Sequence, residues 1–278
     1  MKSPGENANP GVYVLGHSDR ELDRLGAQAN LIDPITRRFF IEAGILPGMR
    51  VLDVGTGAGD VAFLVTEIVG DSGEVVGVDR SPGAIQAAKA RAADRSLPNV
   101  TFREGDPSEM TFDRPFDAVT GRYVLQFQKD PGAMLRKVAA HVQPGGVIVF
   151  HELDWDGVES FPASPTHDRC CGWIRDTLRA HGTETRMGIK LHSAFLAAGL
   201  PEPLMRIEAV VGGGKNSSAR LHLVADLAGT LFPEMERFGI ASAAEVGLET
   251  LVERMTAETA ANGSVIVGHT QFGAWSRV

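Results

Sequence analysis

Hydrophobic and polar positions divide the chain into three stretches. Between Ser18 and Ile45 the spacing is helical, with Leu22, Leu25, Ala29 and Ile32 at three- and four-residue steps. Pro34 is expected to break that run into two helices before Pro47-Gly48 closes it. From Arg50 the pattern changes to short apolar runs alternating with amphipathic ones, which predicts a parallel sheet covered on both faces. Its strands are expected at Arg50–Val54, Glu74–Val78, Asn99–Arg103, Phe116–Thr120 and Val147–Leu153. Ser81-Pro82 and Asp130-Pro131 each place a capping side chain before a first-turn proline and so open helices. Beyond Trp155 regularity lapses. One amphipathic stretch carries Trp173, Ile174, Thr177 and Leu178, and a short helix is expected at Leu191–Ala198. A sixth strand is expected at Leu204–Val211 and a helical insertion at Ser218–Asn262, with a capping box at Ser242 and Glu245. Strand-like alternation from Val265 to Val278 ends the chain.

Composition narrows the function classes. Thirty-five acidic residues against 27 Lys and Arg give a net charge of −8, which disfavours a nucleic-acid partner. No apolar run approaches the roughly 20 residues of a membrane helix, and the polar opening from Met1 to Pro10, which has no apolar h-region, is not expected to be a secretory signal. Cys170 and Cys171 are the only cysteines; adjacent thiols rarely bridge, so a reduced, cytoplasmic setting is expected. They read as packing, and no His/Cys group has metal-ligand spacing.

The chemistry concentrates at Val51-Leu52-Asp53-Val54-Gly55-Thr56-Gly57-Ala58-Gly59-Asp60, a buried strand running through a glycine turn into a helix. Such a turn frees backbone N–H groups and lets a ligand approach the main chain. Dinucleotide binders place a third glycine where this chain has Asp60, and an acid there would repel a diphosphate. Asp79, ending the second strand, can accept from vicinal ribose hydroxyls, and Asp106, in Glu104-Gly105-Asp106, from an exocyclic amine. All three stretches lie at carboxyl ends of strands, where doubly wound sheets bind ligands.

In the order and spacing of Val51–Gly59, Val76-Gly77-Val78-Asp79, Gly105-Asp106, Phe116-Asp117-Ala118-Val119 and Gln143-Pro144-Gly145-Gly146, the chain resembles a class I S-adenosylmethionine-dependent methyltransferase. The style is that of small-molecule C- and O-methyltransferases of quinone biosynthesis. The resemblance implies an α/β fold: a Rossmann-like doubly wound seven-stranded sheet, last strand antiparallel, with helical lid insertions at about 155–190 and 218–262. The methyltransferase domain would span 46–278, with 1–45 covering the cofactor. It further implies that Gly55, Thr56, Gly57 and Gly59 hold the methionine part, with Asp53 orienting the loop or amino group and Arg122 beside it. Asp79 would hold the ribose and Asp106 the adenine amine, although Pro107 removes a donor there, and Arg80 and Gly105 would join the cofactor-binding set. Tyr13, in Tyr13-Val14-Leu15-Gly16, and Gln28 would fold over the cofactor.

Methyl transfer from a sulfonium needs alignment and exclusion of water more than activation. Carbon or oxygen is favoured over nitrogen as acceptor, and His151, ending the fifth strand, is the candidate base, with His17, His167 and His181 as alternatives. The expected partner is a small molecule, with no nucleic acid and no membrane, and the N-terminal or lid helices offer oligomer surfaces. Two rivals stand: a NAD(P)-dependent oxidoreductase, disfavoured by Asp60, and a cofactor-binding protein of the same fold without transferase activity.

Overall fold

The computed structural model of the chain describes residues 19–278; the sequence expectations for Tyr13 and His17 lie outside them. Helix α1 (Asp19–Ala43) packs beneath a seven-stranded sheet built from β1 (Arg50–Val54), β2 (Glu74–Asp79), β3 (Val100–Glu104), β4 (Phe116–Arg122), β5 (Val142–Asp154), β7 (Leu204–Glu208) and β10 (Thr270–Arg277). The order is β3-β2-β1-β4-β5-β10-β7. The first five strands run parallel, and β10 pairs antiparallel with both β5 and β7. The last strand of the chain is therefore the antiparallel one, as the resemblance implied.

Helices α2 (Asp60–Val69), α3 (Pro82–Asp94), α4 (Pro131–Ala139) and α6 (Met187–Ala197) cover the two faces. The capping chemistry read from sequence is in place: the Ser81 and Asp130 side chains accept from the N–H groups of Ala84 and Ala133. One core joins Leu52, Val54, Val119, Ile148 and Phe150 to α4 and α6, and a second joins Val51, Val75 and Val149 to α1, α2 and α3. Central strands buried on both faces explain why they read as continuous apolar runs.

The structure departs from the sequence expectation in four places. Pro34 does not split α1. The one missing N–H is outweighed because Ile35, Phe39, Phe40 and Ala43, all past the proline, bury one continuous stripe. β5 begins at Val142, before Pro144-Gly145-Gly146, and a register shift between Phe116 and Ala118 absorbs the extra residues. The expected sixth strand divides, because Val211–Gly213 leaves the main sheet as β8. It joins β6 (Glu159–Phe161) and β9 (Val265–Val267) in a small antiparallel sheet that the irregular sequence did not foreshadow. The closing alternation divides likewise, at Gly268-His269, between β9 and β10.

The remaining elements are α5 (Pro165–Ala180), α7 (Ser218–Arg237), α8 (Ala243–Val246) and α9 (Leu251–Asn262). They form a third core with Leu153 and Trp155, and Cys170 and Cys171 are buried inside it. This helical unit stands at the carboxyl ends of β4, β5 and the start of β10. Both halves of the Ser242–Glu245 capping box form at the start of α8. Among the described residues no helix is long and apolar enough to cross a membrane.

Candidate active site

A cavity of about 540 Å³ opens along the carboxyl ends of the central strands, floored by the β1–α2 turn and roofed by α5 and α7. The turn is made by backbone that only glycine adopts freely. Gly55, Gly57 and Gly59 have φ of 65°, 53° and 92°, and a Cβ on Gly55 would lie 2.7 Å from Val124 Cγ2.

Asp79 ties this turn to the next strand. Its Oδ2 accepts the Gly57 N–H at 2.9 Å and its Oδ1 the Ser81 N–H at 2.9 Å, while the carboxylate lines the cavity. The Gly57 N–H, which a dinucleotide-binding turn would offer to a diphosphate, is thus already held by an anion. The repulsion expected from Asp60 is weaker than the sequence suggested, because Arg91 pairs with that carboxylate at 2.6 Å.

The other expected residues separate into those that reach the cavity and those behind it. Gln28, Thr56, Arg80 and Arg122 reach it, as do Gly55 and Gly57. Asp53 lies behind the turn, fully buried, with Oδ1 accepting from the Thr120 hydroxyl at 3.1 Å and Oδ2 without a partner. Burial pushes its pKa up to about 7, against the pull of the Thr56 and Thr120 hydroxyls and of Arg122. Gly105 and Asp106 stand at the rim, where Asp106 accepts from Ser108 N–H at 2.9 Å and is ion-paired with Arg80; Pro107 is the residue there that lines the cavity.

His151 does not face the cavity. Its ring is fully buried between α1 and β10, with Nδ1 3.0 Å from Thr36 Oγ1 and Nε2 2.8 Å from Gln271 Oε1. Burial, reinforced by the Arg122 charge, pushes its pKa down to about 3, so the ring is neutral. Gln271 Oε1 also accepts from the Tyr123 hydroxyl, at 2.5 Å, while its amide donates to His269 carbonyl oxygen. That leaves Nε2 as the protonated nitrogen of His151. Arg122 extends the network, donating to Asp33 at 2.7 Å and to Thr36 at 3.0 Å. His167 and His181 do not line the cavity either.

Sequence reasoning missed several residues that do. Tyr123 follows β4 with φ of 58°, uncommon for a side chain of its size, and projects into the cavity. The turn after it is held by Glu152, whose Oε1 accepts the N–H groups of Val124 at 2.7 Å and Leu125 at 2.6 Å. Burial pushes the Glu152 pKa up to about 8. Trp155 donates its indole N–H to Gln126 at 3.0 Å and meets His269 edge to face at 4.7 Å. Arg220, Leu223, Val224 and Leu227 come from one face of α7. An arginine at i with apolar residues at i+3, i+4 and i+7 was the readable signal for that wall.

Comparison with known proteins gives a consistent picture. A family model described as a methyltransferase domain matches residues 45–184. Aklanonic acid methyltransferase DauC of Streptomyces sp. (strain C5) is 36% identical over 140 residues, which is 50% of this chain and 63% of that protein. The demethylmenaquinone methyltransferase of Lactococcus lactis subsp. lactis (strain IL1403) is 35% identical over 107 residues, 38% of this chain and 42% of that one. The match therefore spans less than two thirds of either relative. Among solved structures, a Haemonchus contortus phosphoethanolamine N-methyltransferase 2 in complex with phosphomonomethylethanolamine and S-adenosylhomocysteine shares the fold. Its TM-score is 0.57 at 17% identity, covering 96% of this chain and 61% of that one.

Proposed function

This chain belongs to the class I S-adenosylmethionine-dependent methyltransferases, and from that membership we propose that it transfers a methyl group from S-adenosylmethionine to a small-molecule acceptor within the cavity. The observation that carries the proposal is the Gly55–Gly59 turn stitched to Asp79 and opening on the cavity at the carboxyl ends of the strands. The residues suit an adenosyl sulfonium: a glycine cradle that a Cβ would fill and a cavity-lining carboxylate.

When bound, the cofactor supplies a methyl carbon already activated by its positive sulfur. The protein's own work is to bind, orient and dehydrate. Asp79 keeps lone pairs free for vicinal hydroxyls, since each oxygen uses only one on the backbone. Asp106 serves the adenine end once Arg80 releases it. Arg122, fixed by Asp33 and Thr36, holds the methionine end. Leu178, Leu223, Val224 and Leu227 exclude water from the region where charge is lost during transfer.

Carbon or oxygen is favoured over nitrogen as the methylated atom. An amine acceptor arrives as an ammonium and is normally met by a carboxylate. The carboxylates lining this cavity among the described residues, Asp60 and Asp79, both stand at the glycine turn, away from the α7 wall. We assign His151 a positioning role, because through Gln271 it fixes the Tyr123 hydroxyl at the cavity wall.

Calorimetric titration with S-adenosylhomocysteine and radiolabelled methyl transfer into a metabolite extract test the proposal. Binding together with a labelled small molecule is the expected result. Tight NADH binding with no response to the sulfur ligand would overturn it.

A further inference from the structure

Arg220 stands in the first turn of α7 with only 7% of its surface exposed, lining the cavity. Its Nε and Nη2 are buried and have no hydrogen-bond partner among the described residues, and no described carboxylate acts on it. A guanidinium cannot escape this position by losing its proton, because its pKa starts far above neutrality. Burial of an unpaired cation is costly and is normally compensated by an anion or by carbonyl oxygens.

Among the described residues, the groups acting on it supply no negative charge. The Cys171 thiol is pushed up to about 12 by burial and the Tyr123 hydroxyl is pushed up as well, so both remain protonated. His269 and His167 are pushed down by burial and remain neutral. Asp168, the nearest acid in sequence to this cluster, is turned to Ser160 at 2.7 Å and His167 at 3.0 Å.

A second orphan faces the same space. His269 lines the cavity and its buried Nε2 has no partner. The residue before it makes room for the arginine, since a Cβ on Gly268 would lie 2.6 Å from Arg220 Nη1. Arg220 and His269 meet at the β10 side of the sheet, whereas Asp79 ends β2, four strands away in the sheet order and so at about 19 Å. The cavity thus has an acidic end, suited to a cationic cofactor, and a cationic end. Between them Trp155, Leu153, Leu223 and Leu227 offer apolar walls.

We propose that the acceptor carries an oxyanion on an aromatic or alicyclic body, and that Arg220, with His269 beside it as the tautomer that donates from Nε2–H, is the subsite that binds this oxyanion. The shared chemistry is that of a carboxylate or an ionised enol. The word acceptor rests on the methyltransferase reading; the anion site itself does not.

The test titrates the full chain, saturated with S-adenosylhomocysteine, with three probes of similar size: 2-naphthoate, ionised 2-hydroxy-1,4-naphthoquinone and neutral 2-naphthamide. At least one anion is expected to bind more tightly than the amide, and which one does tells carboxylate from enolate. Arg220→Met should weaken that anion by about tenfold to a hundredfold, the scale of charge-assisted hydrogen bonds, with amide and S-adenosylhomocysteine affinities unchanged. Arg220→Lys should restore part of the loss. The free Arg220→Met protein should melt no lower than wild type, because a buried unpaired charge has been replaced by an apolar chain. Equal affinity for anions and amide, or an anion affinity indifferent to Arg220→Met, would overturn the proposal. Absence of S-adenosylhomocysteine binding would instead remove the methyltransferase reading, and the same probe comparison on the protein alone would still decide the anion site.

Discussion

Replacing Asp79 by alanine probes the join between fold and site. The carboxylate accepts two backbone N–H groups at 2.9 Å, one from the glycine turn and one from the start of α3. Bonds to a charged group contribute roughly 1.5–3 kcal/mol when well shielded. Asp79 is only half-buried, so solvent screening brings each nearer to about 1 kcal/mol. The free protein should therefore lose about 2 kcal/mol, read as a lower urea midpoint. The cofactor contact is lost in addition. Removing a charged acceptor of ribose hydroxyls should weaken S-adenosylhomocysteine by roughly 1.5–3 kcal/mol, about tenfold to 150-fold in Kd. Asp79→Asn separates the two effects: its remaining carbonyl oxygen can still receive one N–H, so stability should fall less than affinity. Alanine that lowers stability and leaves Kd unchanged would reduce Asp79 to a brace for the turn. No change in either quantity would remove it from the site altogether.

Three further outcomes follow from the same geometry. Gly55→Ala should destabilise the free protein more than Gly57→Ala, since both have positive φ but only the first drives a Cβ against Val124, 2.7 Å away; equal losses in urea unfolding would contradict the steric argument. Glu152→Ala should cost roughly 1–3 kcal/mol for each of the two buried N–H groups it strands, while Glu152→Gln, which keeps an acceptor, should cost clearly less in the same assay. Stability of the free protein should fall as pH rises from about 7 to about 8.5, above the range where the unfolded histidines lose their protons, because the folded carboxyls of Asp53 and Glu152, raised to about 7 and about 8, hold protons that the unfolded chain has already released. Asp53→Asn should flatten that slope in thermal melts, and an unchanged slope would show that Asp53 titrates normally.

What could be read from sequence is the part of the site in which local backbone conformation and chemistry coincide. The glycine turn, Asp79 and Asp106 each sit within a few residues of the strand that positions them, so placing β1, β2 and β3 also placed them. Their number along the chain, and not any single motif, carried the resemblance. His151 was misjudged for a reason that strand alternation cannot contain: α1 packs against β5 and supplies Thr36, and β10 supplies Gln271, from 115 residues before and 120 after. Those partners convert a strand-end histidine into a closed hydrogen-bonded element. The acceptor wall was hidden for the same reason. Arg220 and His269 come from an insertion and from the turn into the last strand, and they meet only because β10 inserts beside β5 under α7. Arg220 nevertheless left a trace, as a charge on an otherwise apolar stripe with Leu223, Val224 and Leu227. A stripe of that kind normally buries only what it can satisfy. Among the described residues the groups around this arginine are neutral, so the proposed acceptor anion would balance its charge, with acceptor choice resting on α7 and the turn into β10 while the glycine turn serves the cofactor.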